Sequence, residues 1–298
     1  MELSEKCALC PRKCFADRKN GQRGFCGGND KVKVARAALH FWEEPCISGE
    51  SGSGTVFFSG CTMRCIFCQN REISRGEAGK EISVERLAEI YLELQSKGAN
   101  NINLVTPMHY APQITAAIDI ARNNGLSLPI VWNTGGWELR ESVSAVRDYA
   151  DIWLTDLKYF DNNLAEKFSN APKYFDTASA ALHQMVEQTG EPVFDDSGMM
   201  KRGIIVRHLM LPGHLDDTKK VIKYLWDTYG NSIWISIMNQ YTPLCSDERY
   251  PELLRKVSDT EYNEAIDYAC DLGIENAFIQ EGGTAEESFI PPFDLEGV

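Results

Sequence analysis

The chain reads Cys61-Thr-Met-Arg-Cys65-Ile-Phe-Cys68-Gln-Asn70, which puts three thiols on one short stretch. An iron–sulfur cube has four irons, and its usual protein-bound form has a cysteine on each. Three cysteines therefore leave one iron open to another ligand. The alternatives are a structural zinc site, a disulfide with one spare thiol, or a chance cluster in a cysteine-rich chain. Zinc is disfavoured because structural zinc sites have four ligands, and no histidine lies close in sequence.

The run before the first cysteine predicts how these thiols are held. Thr55-Val-Phe-Phe-Ser-Gly60 is β-branched and aromatic and ends in a glycine, as a buried strand followed by a turn does. We therefore expect the cysteine loop, residues 61–68, at the carboxyl end of a strand.

Composition narrows the class of protein. Of the 298 residues, 43% are hydrophobic and 24% are charged, as in ordinary globular proteins. The net charge of −13 argues against nucleic acid as the main partner, because binding phosphates relies on a basic surface. The sequence shows neither an apolar run long enough for a membrane span nor a signal peptide, so we expect a cytoplasmic protein with no membrane partner. Ten cysteines in a reducing compartment favour metal or catalytic thiols over disulfides.

A second group of thiols precedes the cysteine loop. Cys7-x2-Cys10-Pro-Arg-Lys-Cys14 is followed, after two glycines, by Cys26-Gly-Gly. Four thiols with glycine turns between them suit structural zinc or an additional iron–sulfur cluster, and the alternative is four buried or free cysteines. We call residues 1–30 the knuckle. Residues 1–48 are predicted to form this cysteine-rich unit and its linker, with residues 31–40 as a strand or hairpin.

Strand and helix patterns alternate after the linker. The predicted strands are Thr55–Phe58, Asn101–Val105, Pro129–Trp132, Ile152–Asp156, Ile204–Met210 and Ser232–Met238. The predicted helices between them are Val84–Ser96, Ala111–Asn124, Glu141–Tyr149, Lys173–Gln188 and Asp217–Tyr229. Such alternation implies parallel strands joined by right-handed crossovers, and six units predict an α/β fold, a partial (β/α)6 barrel of TIM type, open on one side. Residues 49–298 make up this second unit, in which a last helix, Asp259–Leu272, and the tail, Ile274–Val298, flank the barrel.

The spacing C-x3-C-x2-C, with aromatic Phe67 before its last cysteine, resembles the signature of the radical S-adenosylmethionine (SAM) superfamily. The resemblance implies that Cys61, Cys65 and Cys68 hold a [4Fe-4S] cluster whose fourth iron is chelated by SAM. It also implies a partial barrel, with Phe67 packed near the adenine.

Polar residues at the predicted strand ends resemble a narrower group, the pyruvate formate-lyase and other glycyl-radical activating enzymes. Thr155-Asp156-Leu-Lys158 matches their Asp-x-Lys motif, which implies that Asp156 holds a cation or sugar hydroxyls and that Lys158 reaches SAM. Arg207, followed by Pro212-Gly213, matches their Arg-to-Pro-Gly pattern, and a buried guanidinium needs an anion such as the SAM carboxylate. Asn133 stands where that group has an aspartate.

Two further strand ends match less closely. Val105-Thr106-Pro-Met-His109 lies where many radical SAM enzymes carry Gly-Gly-Glu-Pro, and here the glycines and the acid are missing. Thr106 is our candidate replacement for binding the methionine amino group, while a lone histidine in such a place is more often structural. Asn239 is expected to contact adenine or substrate.

The resemblance implies an enzyme that splits SAM reductively into methionine and a 5′-deoxyadenosyl radical, which then removes a hydrogen from the substrate. The substrate that the resemblance implies is a glycyl-radical enzyme or another protein or peptide. The alternative is modification of a small molecule or peptide with no glycyl-radical partner. A low-potential electron donor such as flavodoxin or ferredoxin is the implied partner, and no acid or base residue is required.

Overall fold

The computed structural model describes residues 6–244, 247–280 and 291–298. The strands in these ranges are β1 (Val32–His40), β2 (Ser53–Phe58), β3 (Lys80–Ile82), β4 (Ile102–Val105), β5 (Ile130–Thr134), β6 (Ile152–Asp156), β7 (Val193–Phe194), β8 (Met200–Leu209), β9 (Trp234–Met238) and β10 (Ala277–Ile279). The α-helices are α1 (Pro45–Ser48), α2 (Arg71–Ser74), α3 (Val84–Ser96), α4 (Ala111–Asn123), α5 (Arg140–Ala145), α6 (Asn162–Ser169), α7 (Tyr174–Thr189), α8 (Leu215–Tyr229) and α9 (Asp259–Asp271).

The sheet confirms the predicted α/β class. Strands β2, β4, β5, β6, β8 and β9 lie side by side in that order, and every neighbouring pair is parallel. These are the six predicted strands, and the helices between them form the crossovers of a partial barrel. The described strands end at β10 on one side and at β3 on the other, so the sheet is open.

Two assignments need correction. The predicted tail contains another strand, because β10 pairs in parallel with β9. Its three residues are too few for a period-2 pattern to show in the sequence. The predicted helix Glu141–Tyr149 is interrupted, since α5 ends at Ala145 and residues 147–149 form a separate 3-10 turn. The backbone leaves the helical region at Val146, whose φ is −108° and ψ 15°.

The first strand is an antiparallel addition to the barrel. β1 pairs with β2 on one edge and with β3 on the other. After β1 the chain turns inward, and α1 begins at Pro45, a residue suited to a first helical turn. Cys46 and Ile47 pack against alternate residues of β5, β6 and β8, which face the concave side of the sheet. The segment 41–48 therefore enters the barrel interior.

The helices cover the convex side of the sheet. Ser83 caps α3 by accepting a hydrogen bond from the Arg86 amide, as its sequence pattern predicts. The described end of the tail returns to β1, where the Leu295 amide donates to the Ala35 carbonyl at 3.1 Å. Residues 281–290 of the predicted tail lie outside the described residues. Within the described ranges, no helix combines the length and apolarity needed to cross a membrane.

Candidate active site

The cysteine loop begins where β2 ends, as predicted. Gly60 has φ +97°, and a Cβ there would lie 2.2 Å from the Cys26 carbonyl oxygen. Only glycine therefore fits between the strand and the knuckle. Next to it, the His109 ring is 2% exposed and its Nε2 lies 3.0 Å from the Ser59 carbonyl oxygen. Burial lowers the pKa of His109 to about 3, so this histidine is a neutral structural residue.

Burial also raises the pKa values of thiols in the cysteine loop. It raises the pKa of Cys65 to about 11 and that of Cys68 to about 12, against the opposing charge of Lys158. The Ser169 hydroxyl donates to the Cys65 sulfur at 2.9 Å. Thiols in such a setting ionise only beside a cation, and soft sulfur ligands select iron–sulfur clusters, zinc or copper(I) over hard cations.

The donor set fits a cluster by its chemistry. As the side chains stand, no three histidine, cysteine, aspartate or glutamate residues in the described part of the chain converge as metal ligands. The fit of an iron–sulfur cluster therefore rests on three neighbouring sulfur donors of one loop at the carboxyl end of a parallel strand.

A cavity of about 210 Å³ opens beside the cysteine loop. The predicted site residues that line it are Cys65, Phe67, Cys68, Asn133, Asp156, Lys158 and Arg207. They come from the loop and from the ends of three neighbouring parallel strands, where residues of different strands meet at one rim. Phe67 is 6% exposed and packs on Tyr241, with ring centroids 6.0 Å apart.

The charged residues of the cavity form one connected network. Arg207 donates from Nε to Asp156 at 3.0 Å and from Nη2 to the Asn133 side-chain oxygen at 2.6 Å. The Lys158 ammonium donates to the other oxygen of Asp156. Burial alone would raise the pKa of Asp156, but Lys158 and Arg207 together hold it below its usual value. Asp156 is therefore an ionised acceptor between two cations.

Glu43 is a site residue that the sequence did not reveal. Its Oε2 accepts from Arg207 Nη1 at 3.1 Å, and its Oε1 accepts from Asn103 at 2.9 Å and from Asn133 at 3.3 Å. Glu43 comes from the inward-turning segment 41–48, and an acidic pair directly before a proline was the only signal in the sequence. The buried Arg207 thus meets its need for an anion inside the protein, and its contact with SAM stays a prediction.

Thr106 and Asn239 do not line the cavity. Thr106 follows β4 with φ +59°, a conformation that is strained for a β-branched residue, and its amide donates to the Asn133 carbonyl at 2.8 Å. The Asn239 amide donates to the Gln280 side chain at 3.0 Å, while the next residue, Gln240, lines the cavity. The roles proposed for both residues remain predictions.

The knuckle lies directly on the cysteine loop. Arg12 donates from Nε to the Thr62 carbonyl at 2.5 Å and from Nη2 to the Asn170 carbonyl at 2.6 Å. Arg18, 1% exposed, donates to the His109 carbonyl at 2.5 Å. Of the four knuckle cysteines, three are buried and Cys14 is exposed. The knuckle therefore covers one side of the loop that begins with Cys61.

Comparison with known proteins identifies the family of this chain. The model of the Radical SAM superfamily matches residues 55–225. The uncharacterized protein MJ0674 of Methanocaldococcus jannaschii is 26% identical over 277 residues, covering 90% of this chain and 75% of that protein. The pyruvate formate-lyase-activating enzyme of Staphylococcus epidermidis is 21% identical over 178 residues, covering 56% of this chain and 65% of the enzyme.

The fold is also that of a solved structure. HydG, a maturase of the [FeFe]-hydrogenase, superposes with a TM-score of 0.52 at 13% identity, over 74% of this chain and 49% of that chain. The superfamily match covers more than half of the chain and includes the three cysteines and the strands that build the cavity. The chain therefore belongs to the Radical SAM superfamily, whose enzymes use a [4Fe-4S] cluster and SAM.

Proposed function

We propose that this enzyme holds its cluster on Cys61, Cys65 and Cys68 and removes a hydrogen from a glycine of a glycyl-radical enzyme, or from another protein or peptide. The observation that carries the proposal is the cavity in which the cysteine loop meets Asp156 and Lys158. When bound, the cluster supplies one electron that splits SAM into methionine and a 5′-deoxyadenosyl radical.

The side chains of the cavity suit the parts of SAM. Asp156 is an ionised acceptor that fits ribose hydroxyls or a cation, and Lys158 offers a cation to the methionine carboxylate. Phe67 gives an apolar wall of the kind on which an adenine packs. Glu43 and Arg207 fix Asn133 and Asp156 in place, so the protein binds, orients and excludes water while the cofactor does the chemistry.

Two lines of support favour a protein substrate. The alignment with the Staphylococcus activating enzyme covers more than half of this chain, and its printed activity concerns another protein, pyruvate formate-lyase. The Asp-x-Lys and Arg-to-Pro-Gly patterns of that group fall on cavity residues here, at Asp156, Lys158 and Arg207. A low-potential donor, flavodoxin or ferredoxin, completes the proposal.

The cluster assignment is tested by SAM cleavage. Anaerobically reconstituted protein with dithionite and SAM should release 5′-deoxyadenosine, and a variant with Cys61, Cys65 and Cys68 all changed to Ala should release none. Cys270→Ala is the matched control, because Cys270 is exposed and lies outside both cysteine groups. Cleavage by the triple variant at the parent rate would falsify the assignment.

The protein substrate is tested separately. The reduced enzyme, SAM and a candidate glycyl-radical enzyme are mixed anaerobically, and the radical is sought by electron paramagnetic resonance. A glycine-centred signal that depends on all three components supports the proposal. If SAM is cleaved but every protein and glycine-loop peptide tried stays without a radical, while a small molecule is consumed, the small-molecule alternative holds.

A further inference from the structure

The charge of the chain is unevenly distributed. Residues 1–33, the knuckle and the start of β1, contain eight lysines and arginines and four acids. The other 265 residues carry the remaining 22 basic and 39 acidic side chains. The knuckle and the start of β1 thus form a basic unit on a strongly acidic body, and the net charge of that body disfavours an acidic partner.

The inner side of this basic unit packs against the cysteine loop. Phe25 lies between two guanidiniums, with the Arg12 carbon 3.5 Å and the Arg64 carbon 4.7 Å from its ring centroid. Arg12 belongs to the knuckle and also holds Thr62, whereas Arg64 belongs to the cysteine loop. A partner seated on the outer side of the knuckle is therefore separated from the cysteine loop by the knuckle itself.

The outer side presents charge around an exposed aromatic ring. Lys13 and Lys19 are exposed, and Phe15, which lies between them in the sequence, is 55% exposed. The backbones of Lys13 and Phe15 both have positive φ, at 40° and 53°, and their amides donate to the Cys10 and Cys7 carbonyls. The positive φ angles of Lys13 and Phe15 are strained backbone conformations, whose cost the rest of the knuckle offsets. These two strained positions hold the side chains outward.

We propose that the outer face of the knuckle, defined by Lys13, Phe15 and Lys19, is the docking surface for the electron donor, a small acidic one-electron carrier of the flavodoxin class. This inference rests on the proposed function, which requires such a donor. One electron passes from the reduced carrier to the enzyme per SAM cleaved, and the carrier leaves oxidised by one electron. Aromatic residues such as Phe15 are enriched in binding interfaces relative to the rest of a protein surface.

The charge also fits nucleic acid, but the position of the face favours the carrier. The knuckle that bears this face packs on the cysteine loop, where an electron must arrive, whereas binding nucleic acid requires no such position. Steering by opposite charge raises association rates by about 10- to 1000-fold at low ionic strength. It also confines the carrier to the face from which transfer can occur.

Binding is the first test, and it does not depend on activity. Oxidised flavodoxin of strongly negative net charge is titrated into the holoenzyme by calorimetry at low and high salt. The double variant Lys13→Glu/Lys19→Glu should bind about tenfold or more weakly at low salt, with a smaller difference at high salt. Lys97→Glu/Lys220→Glu changes the net charge equally at exposed positions on the barrel and should bind like the parent.

Kinetics separate docking from the reaction itself. Dithionite is small and needs no docking surface, so the double variant and Phe15→Ser should cleave SAM at the parent rate with dithionite and more slowly with reduced flavodoxin. The proposal is overturned if the knuckle and barrel variants lose flavodoxin affinity equally, or if neither does. It is also overturned if a short DNA duplex binds the knuckle and flavodoxin does not displace it. Loss of the dithionite reaction in the parent protein instead counts against the proposed function.

Discussion

Arg207 shows what a single buried charge does in this site. Its side chain is 15% exposed, and its guanidinium donates to Asp156, Glu43 and Asn133, which come from β6, the segment 41–48 and β5. One residue therefore ties three separate parts of the barrel rim together. Its removal leaves two carboxylates without this partner, and a charge left alone in a buried place is costly.

Arg207→Ala should lower the free energy of unfolding by about 3–5 kcal/mol, the usual effect of removing one partner of a buried ion pair. SAM affinity should also fall more than tenfold, because Asn133 and Asp156 lose their fixed positions. Urea unfolding and SAM titration measure the two effects. The control is Arg86→Ala, whose ion pairs with Glu89 and Glu93 lie at the surface and are worth less than about 1 kcal/mol. Equal losses in both variants would contradict the importance given to the rim network.

Asp156 should make the stability depend on pH in a defined direction. Lys158 and Arg207 lower its pKa in the folded protein, so its stabilising effect is present above its unfolded pKa of about 3.9 and is lost as the pH falls through the lower folded value. The gap in unfolding free energy between the parent and Asp156→Asn should therefore be full at about pH 6 and shrink toward about pH 3. Asp148→Asn, which removes an exposed carboxylate, is the control. A gap that widens on acidification contradicts the assignment of Asp156 as the ionised partner.

Elements with a regular pattern were predictable from the sequence. Apolar β-branched runs predicted the six parallel strands, and an N-cap with helical spacing predicted α3 at its observed bounds. Because strand ends meet at one rim in such a fold, Asn133, Asp156, Lys158 and Arg207 could be assigned to one site before their contacts were known.

Glu43 could not be found in this way. It lies in an irregular segment whose path into the barrel is set by packing of Cys46 and Ile47 against three strands, and no local period encodes such packing. The sequence did not predict the three-residue strand β10 for a related reason. Its pairing with β9 depends on the neighbouring strand more than on its own residues.

The junction of β2 with the cysteine loop gives a prediction about an element boundary. Gly60→Ala adds a Cβ 2.2 Å from the Cys26 carbonyl at a positive φ, so the knuckle or the loop must move. Gly98→Ala is a matched control, because Gly98 has φ +86° but nothing within 4 Å of the added Cβ. Gly98→Ala should cost about 1–2 kcal/mol of stability from the left-handed backbone alone. Gly60→Ala should cost more and should also reduce bound iron, and equal costs with unchanged iron would argue against the close junction.

The whole molecule consists of a basic, cysteine-rich knuckle packed on an acidic barrel, and the division at residues 48 and 49 remains a prediction. Burial raises the pKa of Cys10 to about 12, and the charges of Cys26 and Cys7 add to this effect. The Gly28 amide also donates to the Cys26 sulfur at 3.4 Å, as amides around sulfur ligands do. We propose that this unit carries a second metal, zinc or an iron–sulfur cluster.

A variant with Cys7, Cys10, Cys14 and Cys26 all changed to Ala should lose one metal centre and much of its stability or donor binding, while SAM binding changes less. Metal analysis of zinc and iron per chain gives the count and the identity. Cys46→Ala serves as control, because Cys46 is buried but packs inside the barrel. Unchanged metal content in the quadruple variant rules the second centre out.

The return of the tail to β1 has a consequence for the order of synthesis. Arg36 of β1 pairs with Asp294, 258 residues later, and the same tail brings Phe293 onto Phe57, with ring centroids 5.7 Å apart, and Pro291 to the cavity wall. At about 5–20 residues per second on the ribosome, β1 waits on the order of 13–50 s for this partner. During that interval the cavity of the nascent barrel lacks the wall that Pro291 contributes. We expect the loop thiols to be accessible from that side during this interval, so that iron and sulfide can be delivered before the tail packs on β1.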